Sequence, residues 1–146
     1  MKKLSVLAYS LIIGLSSFAY SGTDINEKLL RNFKERFPNA EQIRWTELAD
    51  NYIVNFMEDG VRTNIIYDKD GVFVRSTRYY FEQNLPYYLL VTIKKKYTDK
   101  KIFAVTEVST AAGIEYFVKL EDARIWMTIR IDGEGNLGVV EKYRKA

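Results

Sequence analysis

Two hydrophobic periods alternate along this chain, and each switch between them marks an element. Ile25, Leu29, Leu30, Phe33 and Phe37 recur at three- and four-residue spacing until Pro38, which predicts a helix with one apolar stripe. Asp24 followed by Glu27 reads as a capping box at its start. The period then drops to two. Ile43 and Trp45 alternate with Arg44 and Thr46, and Tyr52, Val54 and Phe56 with Ile53, Asn55 and Met57. Val61, Thr63, Ile65 and Tyr67 alternate with Arg62, Asn64 and Ile66, and a fourth run extends from Gly71 to Tyr80. A period of two means a sheet with unlike faces, and the short connections imply antiparallel pairing.

The pattern then repeats. Leu29, Leu30, Lys34, Thr46 and Glu47 meet Leu89, Leu90, Lys94, Thr106 and Glu107 sixty residues later. Tyr52, Val54, Ile65, Asp68, Gly71 and Tyr79 meet Tyr116, Val118, Ile129, Asp132, Gly135 and Tyr143 sixty-four residues later. The offset grows once, by four, and the insertion falls naturally in Ser109-Thr110-Ala111-Ala112-Gly113 as a longer hairpin loop, since loop length costs little. Pro86 suits the first turn of a second helix, whose stripe is Leu89, Leu90, Ile93 and Tyr97 and whose solvated end carries Lys94, Lys95 and Lys96. The expected fold is α+β: a tandem duplication of a helix-plus-four-strand unit, in repeats of about 24–81 and 84–146. Together the repeats form one eight-stranded antiparallel sheet with both helices on one face.

Composition narrows the chemistry. The 146 residues include no Cys and no His, so a thiol nucleophile, a disulfide, a Ser-His-Asp relay and an ordinary zinc or haem site all fall away. No Ser or Lys has an evident activating base, and no carboxylate pair has a catalytic spacing. The chain therefore reads as a non-enzyme with no cofactor and no metal site. Lys2 and Lys3 precede an apolar run from Leu4 to Phe18, too short for the roughly 20 residues of a bilayer-spanning helix. This is the pattern of a signal peptide over residues 1–21, cleaved after Ala19 or Ser21. No Cys follows the run to take a lipoprotein anchor, so residues 22–146 are expected as one periplasmic or secreted domain without a stable membrane span. Lys2 and Lys3 also supply two of the three surplus positive charges, which argues against nucleic acid as a partner.

With the helices on one face, the other sheet face is left without cover. Arg44, Met57, Arg62, Ile66, Arg75, Phe117, Lys119, Trp126 and Arg130 are assigned there, together with Ile53. Arg, Met and aromatic residues are the types enriched at protein interfaces, because they combine contact area with a polar handle. The predicted partner is an envelope protein or peptide. A second reading is a small-ligand or cation module, for calcium or a glycan, built on the loops and the repeat junction. The turns Asp68-Lys69-Asp70-Gly71 and Asp132-Gly133-Glu134-Gly135 do not form EF-hands, because Phe73 and Leu137 stand where Gly is required and Tyr79 and Tyr143 where Glu is required. They read as hairpin turns. Tyr79, Tyr80, Phe81, Tyr87 and Tyr88 cluster at the repeat junction, and the expectation is that they pack its seam.

The run Phe33-Lys34-Glu35-Arg36-Phe37-Pro38-Asn39-Ala40, then Ile43-Arg44-Trp45, then Tyr67-Asp68-Lys69-Asp70-Gly71, echoed at Ile129-Arg130-Ile131-Asp132, resembles the PepSY-like family of bacterial envelope proteins. That family is also described as β-lactamase-inhibitor-like. The resemblance covers nearly all of residues 22–146 and implies a BLIP-like, secreted duplication whose curved open sheet grips another protein, as β-lactamase inhibitory protein does. Its motifs are structural and carry no catalytic signature.

Overall fold

The computed structural model describes residues 25–146. The signal peptide, its cleavage sites and Asp24 of the expected capping box lie outside the described residues. Helix α1 spans Glu27–Arg36, and its cap is Asn26, whose side-chain oxygen accepts the Lys28 N–H at 2.9 Å. The capping signal was thus misassigned to Asp24: Asn26 sits immediately before the first helical residue and satisfies a backbone donor that has no partner within the helix. The Phe37 N–H closes the last turn on Phe33, and Pro38 follows. A short 3-10 turn at Glu82–Asn84 leads into helix α2, Tyr87–Lys96, with Pro86 at the cap position rather than inside the first turn.

Strands β1 (Glu41–Glu47), β2 (Asn51–Glu58), β3 (Val61–Asp68) and β4 (Phe73–Tyr80) follow α1. Strands β5 (Lys101–Thr110), β6 (Gly113–Glu121), β7 (Ile125–Asp132) and β8 (Leu137–Arg144) follow α2. All eight lie in one antiparallel sheet in sequence order, so the duplicated architecture is as expected. Strand β4 begins at Phe73, because Gly71, at φ +80°, belongs to the preceding turn.

Both helices bury their stripes against the same side of the sheet. Ile25, Leu29 and Phe33 pack on Tyr52, Val54, Phe56 and Ile65, and Phe33 meets Phe56 and Trp45 edge-on at 5.1 and 5.3 Å. Leu89 and Ile93 pack on a larger cluster that includes Val105, Val118, Leu120, Ile129 and Ile131. Among the described residues no helix is long and apolar enough to cross a membrane.

The inserted residues behave differently from the expectation of a longer loop. Glu47 pairs with Tyr52 in the first repeat, and its counterpart Glu107 pairs with Tyr116 in the second. Beyond that rung the second hairpin continues through Val108–Glu115, Ser109–Ile114 and Thr110–Gly113, and turns on only Ala111 and Ala112. The insertion lengthens the hairpin arms because each added pair of residues gains ladder hydrogen bonds, which a slack loop would forgo.

Candidate functional site

The register places every predicted site residue on the helix-free face. Met57, Arg62, Tyr79, Thr106, Phe117 and Arg130 are successive cross-strand partners from β2 to β7. The next row runs through Arg44, Asn55, Asn64, Thr77, Val108 and Glu115, and the one after it through Thr46, Ile53, Ile66 and Arg75. At the far end Lys119 pairs with Thr128 and Trp126 with Tyr143. The predicted residues therefore share a face but form two groups separated by β5: Arg44, Met57, Arg62, Ile66 and Arg75 on β1–β4, and Phe117, Lys119, Trp126 and Arg130 on β6–β7.

The second group is an aromatic and ammonium cluster. Trp126 has the Lys119 and Lys145 ammoniums at 4.9 and 4.4 Å from its rings, with Phe103 edge-on at 4.9 Å. Lys119 also faces Tyr143 at 5.9 Å. Arg130 pairs with Glu115 and Lys145 with Glu121, while Lys119 has no carboxylate partner among the described residues. Phe103, Tyr143 and Lys145 were missed at the sequence level. Phe103 sits at the irregularity in β5 between Ile102 and Ala104, so alternation alone misreads its direction.

The first group carries its charge unmatched. Arg44, Arg62 and Arg75 are all exposed, and none pairs with a carboxylate among the described residues. The Arg62 guanidinium lies 4.9 Å over the Tyr79 ring. Between the three arginines the Asn64 amide donates to the Asn55 oxygen at 2.9 Å. Thr77, in the same row, is only 8% exposed although no helix covers it. The side chains around it on this face therefore cover it. Where the strands of this half end, Met57, Arg62, Tyr79, Phe81, Ala104 and Thr106 line an open groove of about 460 Å³.

Other expected clusters do not converge. Of the junction aromatics only Tyr80 is buried at the seam: Tyr79 points to the other face of β4, Phe81 lies just past the strand, and Tyr87 and Tyr88 stand on the exposed side of α2. The seam is polar instead. On the helix side Glu107, buried at 8% exposure, accepts the Tyr80 hydroxyl at 2.6 Å and the Arg78 guanidinium at 3.1 Å. Burial, reinforced by the Glu107 hydrogen bond, pushes the Tyr80 hydroxyl well above the usual tyrosine range. The acidic turns use their carboxylates internally. Asp68 accepts the Asp70 and Val72 N–H groups at 3.0 and 2.8 Å, and Asp132 accepts those of Glu134 and Asn136 at 3.0 and 2.9 Å. The Asn136 amide and backbone N–H hold Asp132 below the usual carboxylate range.

No family model matches the chain, and no curated protein matches it. Solved structures do. A BLIP-like protein from Bacteroides fragilis superposes with a TM-score of 0.60 over 84% of this chain and 87% of its own, at 17% identity. The fold is BLIP-like. A DUF2874 family protein from Bacteroides ovatus matches the same BLIP-like fold at a TM-score of 0.59 and 16% identity, over 84% of this chain and 89% of its own. A candidate periplasmic protein from Bacteroides eggerthii does so at 0.57 and 15%, over 82% and 88%. None of these descriptions names an enzymatic activity. At such identities the likeness carries the BLIP-like fold alone, and the PepSY-like resemblance rests on the residue pattern of the chain itself.

Proposed function

We propose that this chain is a non-enzymatic protein- or peptide-binding module of the bacterial periplasm, inhibitor-like in architecture, that holds its partner on the helix-free face of the sheet. One observation carries the reading: the helices cover one side only, while the other gathers Trp126, Phe117, Tyr79 and three arginines without carboxylate partners among the described residues. Large aromatic and guanidinium groups gathered on one uncovered face are the types that anchor a partner. The neighbours' BLIP-like and periplasmic descriptions are consistent with this.

Site-specific photo-crosslinking in exporting cells tests the reading. A photoreactive residue in place of Phe117 should capture a discrete partner, whereas one in place of Tyr87, exposed on α2, should not. Equal capture at both positions, or none at Phe117, would refute it.

A further inference from the structure

We infer that the partner presents an acidic segment, and that Arg44, Arg62 and Arg75 receive it. This deepens the open-face reading and rests on it. The two halves of the face treat charge differently. In the half built on β6 and β7, Arg130 and Lys145 have carboxylates of the same chain beside them, and the Lys119 ammonium lies over the Trp126 and Tyr143 rings. On β1–β4 the three guanidiniums have no carboxylate partner among the described residues, and all three are exposed on the same face. Like charges held on one face repel one another and build a positive potential there, which an incoming anionic group relieves.

Their spacing selects the kind of anion. Arg44 lies in the middle row on β1, Arg62 one row to one side on β3, and Arg75 one row to the other side on β4. With strands about 4.8 Å apart and about 3.4 Å of rise per residue, their backbone positions are roughly 12–16 Å apart. A single phosphate would require the side chains to fold inward to one point against their mutual repulsion. An extended segment with carboxylates two to four residues apart spans about 7–14 Å, and so addresses the arginines separately. The floor between them suits a peptide backbone. Asn55 and Asn64 use one N–H and one oxygen on each other, which leaves further amide groups for main-chain N–H and C=O. Ile53, Ile66 and Met57 provide apolar contact between the polar positions. A nucleic-acid strand would want open aromatic platforms, yet Tyr79 in this half is already covered by Arg62. A flat anionic membrane offers no main-chain N–H groups to the Asn55 and Asn64 amides.

Panning a random twelve-residue peptide display library on the purified chain tests the idea. The wild type is compared with R44Q/R62Q/R75Q and with F117S/W126S, each confirmed as folded by circular dichroism. The enriched peptides should carry two or more Asp or Glu residues. In fluorescence anisotropy they should lose tenfold or more in affinity on R44Q/R62Q/R75Q, and as much when their Glu residues are replaced by Gln. Enriched peptides without acidic surplus, or equally bound by R44Q/R62Q/R75Q, would overturn the inference, as would arginine-dependent binding of phosphatidylglycerol vesicles in the absence of peptide binding. If such peptides are still lost on F117S/W126S, the open-face reading stands without the acidic partner. No enrichment, or binding unaffected by either variant, defeats both.

Discussion

Single residues in this protein take their role from which side of a strand they occupy. Glu107 shows how little residue type alone reveals: it repeats Glu47, which ion-pairs with Lys69 at a more exposed position. One sheet position becomes a buried carboxylate because the second hairpin and Tyr80 close over it, while its neighbour Arg78 completes the pairing. Asp122 is a second residue that no motif announces. Lys100, whose side chain is only 8% exposed, donates to its carboxylate, as do the Arg124 and Ile125 N–H groups, each at 2.8 Å. These donors, the Lys100 ammonium first, lower its pKa to about 2 from an ordinary 3.8. A carboxyl that is a stronger acid when folded contributes its stabilisation fully above the unfolded value and loses it as the pH falls through the folded one. The bridge should therefore weaken between about pH 4 and pH 2. D122N keeps an oxygen for the two N–H groups and removes the charge. Its thermal midpoint should fall less steeply across that window than the wild type's, and an unchanged acid slope would show that Asp122 does not carry the effect.

At the scale of elements, the helices and strands were legible because both periods are strong and each is used twice. Leu29 and Phe33, like Leu89 and Ile93, lie on the buried stripes that their spacing marks. What was not legible depends on partners distant in sequence or on backbone detail. The cap at Asn26 competes with several polar residues nearby, and the offset of four could not reveal whether a loop or a ladder had grown. The turns were readable because their chemistry is local: Asp68 and Asp132 gather N–H groups, and Gly71 and Gly135 take φ of +80° and +88°. A side chain there pays roughly 1–2 kcal/mol for a left-handed backbone. Space adds no further term. A Cβ at Gly135 meets nothing within 4 Å, and one at Gly71 meets the Leu29 Cβ at an ordinary 3.6 Å. G71A and G135A should thus each lower unfolding stability by about 1–2 kcal/mol in urea titrations. A large difference between them would mean that the two turns are not equivalent despite their matching hydrogen bonds.

Across the whole molecule the duplication is symmetric in topology and asymmetric in packing. The second repeat builds one large cluster that also draws in Val61 and Tyr80 from the first, whereas the first repeat keeps two smaller clusters around Phe33 and Ile25. Val118, Leu120, Ile129 and Ile131 are wholly buried, while β8 at the sheet edge is exposed at every position except Leu137. The chain should therefore open by parts, since local stability follows buried apolar contact. Hydrogen exchange should be slowest on β6 and β7 and fast on β8. F33A removes the ring that joins α1 to Trp45 and Phe56, a change that typically costs about 3–5 kcal/mol in a core. It should accelerate exchange in α1 and β1–β3 while leaving β6 and β7 near wild-type rates. Arg44 and Arg62 ride on those same loosened strands. F33A should then also weaken acidic peptides more than it disturbs the Trp126 cluster, which tryptophan fluorescence can follow in W45F/F33A because Trp126 is then the remaining tryptophan. Uniform acceleration across all eight strands would instead show one cooperative unit, in which the arginine group and the aromatic cluster are stabilised together.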